Sequence, residues 1–265
     1  MMNIGVIGKG FVGGAICASY DGVTFYDPFK KGSVANIRDL MECRAIFVCV
    51  PTPMGENGKC DDSIVVETLQ ILVAEKYAGL VIAKSTAPFE TYEQFAKKLQ
   101  LVFVPEFLRA ASATEDYLKT EFMIVGADDQ PSYLAALDII GSSKLNMLNT
   151  FKRISIREAC LVKYFENSFL ATKVSLMNEF HILCGALETD WYKVIDALTL
   201  DQRIGADHTQ VPGPDGNYGW GGHCFPKDTM ALLSLAAANG ITLPTLASAV
   251  MSNMKIRNAN GGIDV

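Results

Sequence analysis

Apolar positions along the chain follow two regimes that meet near residue 150. In the first, short runs rich in β-branched and aromatic residues alternate with stretches of helical period. Asn3–Ile7, Val23–Tyr26, Ala45–Val50, Leu80–Lys84, Leu101–Val104 and Phe122–Val125 read as strands, and Phe11–Ser19 as a helix. Each strand run is nearly continuous in apolar residues, as a parallel sheet covered on both faces requires. The pattern predicts an α/β domain over 1–150 built on a doubly wound parallel sheet. Leu145–Leu148 is expected to add a last strand at its edge.

From Ser155 the pattern changes. Ser155-Ile156-Arg157-Glu158 is a capping box, and neither glycine nor proline follows until Gly185. A helix of about 30 residues spans roughly 45 Å, more than one small domain requires. It is expected to bridge to a second unit or to pair with its copy in another subunit. Trp191–Leu200, Lys227–Asn239 and Pro244–Lys255 also read as helices. Residues 201–226 between them form a loop rich in Gly, Asp and Pro, and loops of that length are functional or disordered. The second domain, 151–265, is thus expected to be all-helical and built on the long helix.

Composition narrows the function classes. With 49% hydrophobic and 20% charged residues in 265, the chain has the make-up of a globular protein with ample core. A net charge of −6 and the lack of any basic stripe argue against nucleic-acid binding. The apolar N-terminus has no basic n-region and is interrupted by Lys9, so it reads as a strand and turn rather than a secretory signal. No apolar run approaches a membrane span. A cytoplasmic protein without membrane contact is expected. Seven cysteines without a CxxC pair suit buried thiols in a reducing compartment, a reading that fits Cys17, Cys49, Cys160 and Cys184 but not Cys224.

Gly8-Lys9-Gly10-Phe11-Val12-Gly13 is a GxGxxG run after a predicted strand and at the start of a predicted helix. In that context it reads as a Rossmann-type dinucleotide turn, with the pyrophosphate at the helix N-terminus. Asp27 ends the next strand and can accept hydrogen bonds from both ribose hydroxyls, which favours NAD over NADP. The alternative is a plain βα turn. Pro51-Thr52 and Ser85-Thr86 follow two further strand ends, on the edge of an α/β sheet where ligands bind. They are either proline-rich turns or cofactor contacts, and the Thr86 hydroxyl is placed to face a nicotinamide.

Glu106, in Pro105-Glu106-Phe107-Leu108, lies beyond another strand end. Lys163 and Asn167 are four apart on the long helix, hence on one face. Such a pair can be a solvated face, yet Leu161, Val162, Tyr164, Phe165, Phe169 and Leu170 leave the segment almost no polar side. A lysine there must snorkel, pair or line a site. In Gly221-Gly222-His223-Cys224-Phe225-Pro226-Lys227-Asp228 the glycines allow close backbone approach and Pro226 suits a first helical turn. Cys224 would then stand at or near a helix N-terminus with Lys227 close by, both of which favour thiolate. His181, His208 and His223 lack ligand spacing, so no metal is expected. A Cys224/His223 nucleophilic pair stays open, although neighbours in sequence usually point apart.

These motifs, together with Gly58, Asp61-Asp62-Ser63 and Arg203-Ile204-Gly205, occur in an order that resembles the UDP-glucose/GDP-mannose dehydrogenase family over nearly the whole chain. The resemblance implies a homodimer joined through the long helix, and NAD-linked, two-step oxidation of a nucleotide-sugar primary alcohol to a uronate. It implies that Cys224 captures an aldehyde as a thiohemiacetal that becomes a thioester, and that Lys163 and Asn167 stabilise the oxyanion. Asp228 would assist proton transfer through water and Glu106 thioester hydrolysis. Phe107, Leu108, Arg203, Gly221 and Lys227 would contact substrate. Two departures stand out. Ala110-Ala111 replaces a Glu-Gly whose carboxylate contacts cofactor, and family members continue beyond the position of Val265 into a third α/β domain. A smaller substrate, a partner chain or a fragment would each accommodate the second. A single-step hydroxyacid-type dehydrogenase using Lys163 as base, or a non-catalytic nucleotide-binding module, are the alternatives.

Overall fold

The computed structural model describes residues 3–55, 58–145 and 150–259. The apolar runs become strands β1 (Ile4–Ile7), β2 (Thr24–Tyr26), β3 (Ala45–Val48), β4 (Leu80–Ala83), β5 (Leu101–Phe103) and β6 (Phe122–Gly126). Between them lie helices α1 (Phe11–Ser19), α2 (Ser63–Ala74), α3 (Phe89–Ala96), α4 (Ala113–Leu118) and, after β6, α5 (Gln130–Gly141). Every residue of β1, β3, β4 and β5 is buried, which is why these strands read as unbroken apolar runs. Alternate residues of β3 enter opposite cores, Ile46 and Val48 one and Ala45 and Phe47 the other, as the two-residue period of a strand dictates.

The strand order is β2-β1-β3-β4-β5-β6-β7. β1 pairs parallel with both β2 and β3. The order therefore reverses between β1 and β3, the topological switch point at which open α/β sheets hold their ligands. The sheet is doubly wound and mostly parallel, as expected, with one antiparallel meeting, where β6 pairs β5 with Phe103 opposite Gly126. A further strand, β7 (Thr150–Ile154), runs parallel to β6 at the edge. Its residues are all half-buried or exposed, so it lacks the apolar run that marks the inner strands. The strand expected at Leu145–Leu148 lies, beyond Leu145, outside the described residues.

The chain forms two compact units, Met1–Pro53 with Cys60–Lys163, and Met54–Lys59 with Tyr164–Val265. The division falls inside the long helix α6 (Ile156–Ala186). Its first turns belong to the first unit because Ile156, Ala159 and Cys160 are fully buried in that core. Ser155 caps the helix as its sequence announces: its amide and hydroxyl both donate to Glu158 Oε2, and its Oγ accepts the Glu158 amide. The second unit, with no strand among its described residues, continues with α7 (Trp191–Leu198), α8 (Cys224–Ala238) and α9 (Pro244–Ala259). Small cores among the described residues hold it, one around Met177, Trp191 and Val211 and another around Ala171, Trp220 and Val250. α8 begins at Cys224, three residues before the expected start, and takes Pro226 into its first turn, where a missing amide hydrogen costs nothing. Among the described residues no helix is long and apolar enough to cross a membrane.

Candidate active site

In the first unit the turn after β1 is shaped by its glycines. Gly8 has φ +87°, and a Cβ there would press on the Cys49 carbonyl. A Cβ at Gly13 would collide with the Gly8 carbonyl, whereas one at Gly10 meets nothing within 4 Å. Gly10 precedes α1 without a side-chain cap. The helix therefore presents backbone N–H groups and the positive end of its dipole to open space, an anion-binding arrangement. Beside it lies a cavity of about 430 Å³, lined by Gly10, Phe11 and Gly14 on one side and residues 110–115 on the other. Buried Asp27 accepts the Lys9 amide at 2.8 Å and the Phe29 amide at 2.9 Å, which fixes the carboxylate at the end of β2 and leaves it further acceptor capacity. The Lys9 ammonium lies 3.7 Å from the centre of the Phe25 ring. The open helix terminus, the cavity and the fixed carboxylate together fit a dinucleotide. Ala110 makes part of the cavity wall apolar.

The carboxyl ends of β3, β4 and β5 carry the other expected groups of this unit. Pro51 is exposed and Thr52 half-buried. Thr86 is buried, and its carbonyl accepts the Cys60 thiol at 3.5 Å. Glu106 is buried; its Oε2 accepts the Leu108 amide at 2.7 Å and its Oε1 lies 3.7 Å from Lys163 Nζ. Lys163, 5.2 Å from the centre of the Phe107 ring, is a buried cation with a carboxylate partner. A second buried lysine, Lys84, donates to the Pro105 carbonyl at 3.5 Å. Burial pulls its ammonium down to about 8, opposed by the neighbouring Cys49 and Glu106. Sequence reading missed Lys84 as more than a strand end. Its signal was a charge continuing the apolar run Leu80–Ala83.

In the second unit Cys224 is the first residue of α8 and half-buried. Lys227 and Asp228, one turn on, are both buried. Asp228 sits between two donors: Lys227 Nζ donates to its Oδ1 and Asn167 Nδ2 to its Oδ2. Asn167 thereby joins α6 to the helix that carries the cysteine. Arg203, by contrast, points to solvent with its guanidinium paired to Asp201. The loop carrying it is held from behind by Lys173, whose ammonium donates to the carbonyls of Ile204, Gly205 and Asp207. Gly221 is approached closely by Arg257, whose Nη2 would stand 2.9 Å from a Cβ there. Gly58 packs in the same manner on Met230 of α8.

The expected residues thus gather as three groups: the Gly8–Gly13 turn with Asp27, Glu106 with Lys163, and Asn167 with Lys227 and Asp228 at the start of α8. None of the seven cysteines forms a disulfide. Burial pushes the Cys49 thiol up to about 12 and raises those of Cys17, Cys43 and Cys160, consistent with unreactive core thiols. Among the described residues no three His, Cys, Asp or Glu side chains could jointly hold a metal ion.

Comparison with known proteins places these groups in a family context. Residues 31–142 match the NAD binding domain of the UDP-glucose/GDP-mannose dehydrogenase family, and residues 157–255 match its central domain. UDP-glucose 6-dehydrogenase AglM of Haloferax volcanii is 29% identical over 81% of this chain and 53% of its own length. The UDP-glucose 6-dehydrogenase of Pseudomonas aeruginosa is 32% identical over 83% of this chain and 49% of its own. The chain thus spans about half the length of the curated relatives it matches. A solved UDP-glucose dehydrogenase from the hyperthermophilic archaeon Pyrobaculum islandicum matches with a TM-score of 0.82 at 27% identity, covering 96% of this chain and 68% of that one.

Proposed function

The chain belongs to the UDP-glucose/GDP-mannose dehydrogenase family, and from that premise we propose that it oxidises a nucleotide-sugar primary alcohol to the uronate through a covalent bond to Cys224. The observation that carries the reading is the placement of Cys224 as the first residue of a 15-residue helix, one turn from the buried Lys227–Asp228–Asn167 cluster. A helix N-terminus favours thiolate, the nucleophilic form.

Gly8–Gly13, Asp27, Pro51, Thr52 and Thr86 would hold NAD, which when bound would accept one hydride per molecule, so that the four-electron oxidation would consume two NAD in turn. The thiolate adds to the aldehyde carbon, giving a thiohemiacetal. Loss of the second hydride leaves a thioester, and water cleaves it to carboxylate and free thiol. Lys163 and Asn167 supply donors to the oxygen that gains charge at each stage. Asp228, held between two donors, passes protons by way of water, and Glu106 activates the water that hydrolyses the thioester. Phe107, Leu108, Arg203, Gly221 and Lys227 hold the substrate. Arg203, exposed and paired with a surface carboxylate, can exchange that partner for an anionic ligand.

The reading includes a homodimer, supported by the apolar side chains that α6 leaves exposed. It also includes a cytoplasmic location, supported by seven cysteines outside any disulfide. The test is NADH release from a panel of UDP- and GDP-sugars. Two NADH per sugar, lost in Cys224→Ala, is expected. One NADH per substrate and indifference to Cys224 would favour a single-step dehydrogenase with Lys163 as base. Tight NAD binding with no turnover would favour a non-catalytic module.

A further inference from the structure

Trp220, four residues before Cys224, is buried and gripped from two helices. Its amide donates to Asn253 Oδ1 at 2.7 Å, and its carbonyl accepts Asn253 Nδ2 at 2.9 Å and Arg257 Nε at 3.1 Å. Its indole N–H donates to Ser175 Oγ at 2.9 Å, and that hydroxyl in turn donates to the Ala249 carbonyl at 3.0 Å. The preceding Gly219 amide donates to Asn178 Oδ1 at 2.8 Å. Asn253, Asn178 and Ser175 are themselves buried. Asn253 thus presents one acceptor and one donor to the backbone of one residue, as a paired strand would.

The glycines around Trp220 follow from this grip. Gly219, at φ +70°, has no room for a Cβ because Asn253 Oδ1 occupies the place, and Gly221 lies beneath the Arg257 guanidinium. From Trp220 the chain reaches Cys224 through Gly221, Gly222 and His223. On the far side of the cysteine Phe225 returns to Trp220, edge to face at 6.4 Å. Cys224 is therefore bracketed by a residue whose backbone and side chain are both tied down. The loop from 199 to 223 contains no helix or strand, so nothing regular within it could set where α8 begins.

We propose that Asn253 and Arg257 are positioning residues for Cys224: by holding Trp220 they fix the cysteine at the first position of α8, with its sulfur at the helix N-terminus. The proposal deepens the reading of Cys224 as nucleophile and rests on it for its purpose, though not for its test.

The test is peptide-resolved alkylation of the full-length chain by iodoacetamide at neutral pH. Asn253→Ala should slow labelling of Cys224 about tenfold, because a thiol released from the helix terminus loses thiolate stabilisation. Cys184, buried in the second unit's core, should stay protected and reports that the unit is folded. Labelling of Cys224 at the parent rate or faster, with Cys184 protected, overturns the proposal. If Cys184 becomes labelled in Asn253→Ala, the pair Arg257→Leu and Arg257→Lys decides. Leucine should slow Cys224 severalfold and lysine, which keeps a donor for the carbonyls, should restore it; equal rates overturn the proposal. NADH release by Cys224→Ala with UDP-glucose would refute the nucleophile alone and leave the alkylation result standing.

Discussion

A Cβ at Gly13 would collide with the Gly8 carbonyl, whereas one at Gly10 would project into open space. Gly13→Ala should therefore cost about 1–3 kcal/mol of stability, since backbone cannot give way as a flexible side chain can. Gly10→Val should leave chemical unfolding within about 0.5 kcal/mol of the parent yet abolish NAD binding by calorimetry. Unchanged NAD affinity in Gly10→Val would show that the cavity beside α1 is not the cofactor's. Lys84 offers a second test, through pH. Below about 8 its ammonium is charged in folded and unfolded chains alike. Between about 8 and the ordinary lysine value of 10.5 the unfolded chain holds the extra proton, so stability should rise with pH. The rise should be on the order of 3 kcal/mol at most, seen in urea midpoints as the difference between the parent and Lys84→Met, whose profile lacks it. A parallel pair of profiles would contradict a depressed Lys84.

Helix α6 changes its role along its length. Its first turns are buried in the first unit, while beyond Lys163 it exposes Phe165, Phe169, Leu176, Phe180 and Leu183. These recur at intervals of three, four and seven residues, one face of a helix. Such a stripe is the feature expected of an interface with a second copy. Phe169→Glu should convert a dimer to a monomer by light scattering, with helical content unchanged by circular dichroism. A dimer that survives Phe169→Glu with Leu183→Glu would remove α6 from the interface. Elements differ in how openly their sequences declare them. The cap at Ser155 and the turn at Gly8–Gly13 depend on neighbours a few positions away, so they are legible directly. β7 is not, because an edge strand carrying Lys152 and Arg153 and burying no side chain fully has no apolar run to betray it. The antiparallel meeting of β5 and β6 is hidden for a different reason. A buried strand reads the same in either direction.

At the scale of the whole chain, local chemistry was legible and long-range support was not. Cys224 stands out among seven cysteines because glycines precede it and charges follow it. The residues that hold its loop, Asn178 and Asn253, lie 41 and 33 positions from their partners, and an Asn on an amphipathic helix looks solvated until the fold buries it. Lys84 escapes notice similarly, since burial is a property of the assembled unit and not of the segment. The central claim concerns the sulfur of Cys224, and one measurement addresses it directly. Glu106→Gln should slow hydrolysis more than oxidation, so that the thioester accumulates. After brief incubation with NAD and UDP-glucose and an acid quench, peptide mass spectrometry should find the Cys224 peptide carrying the uronyl group of the nucleotide sugar. NADH formed with Cys224 left unmodified would contradict the covalent route.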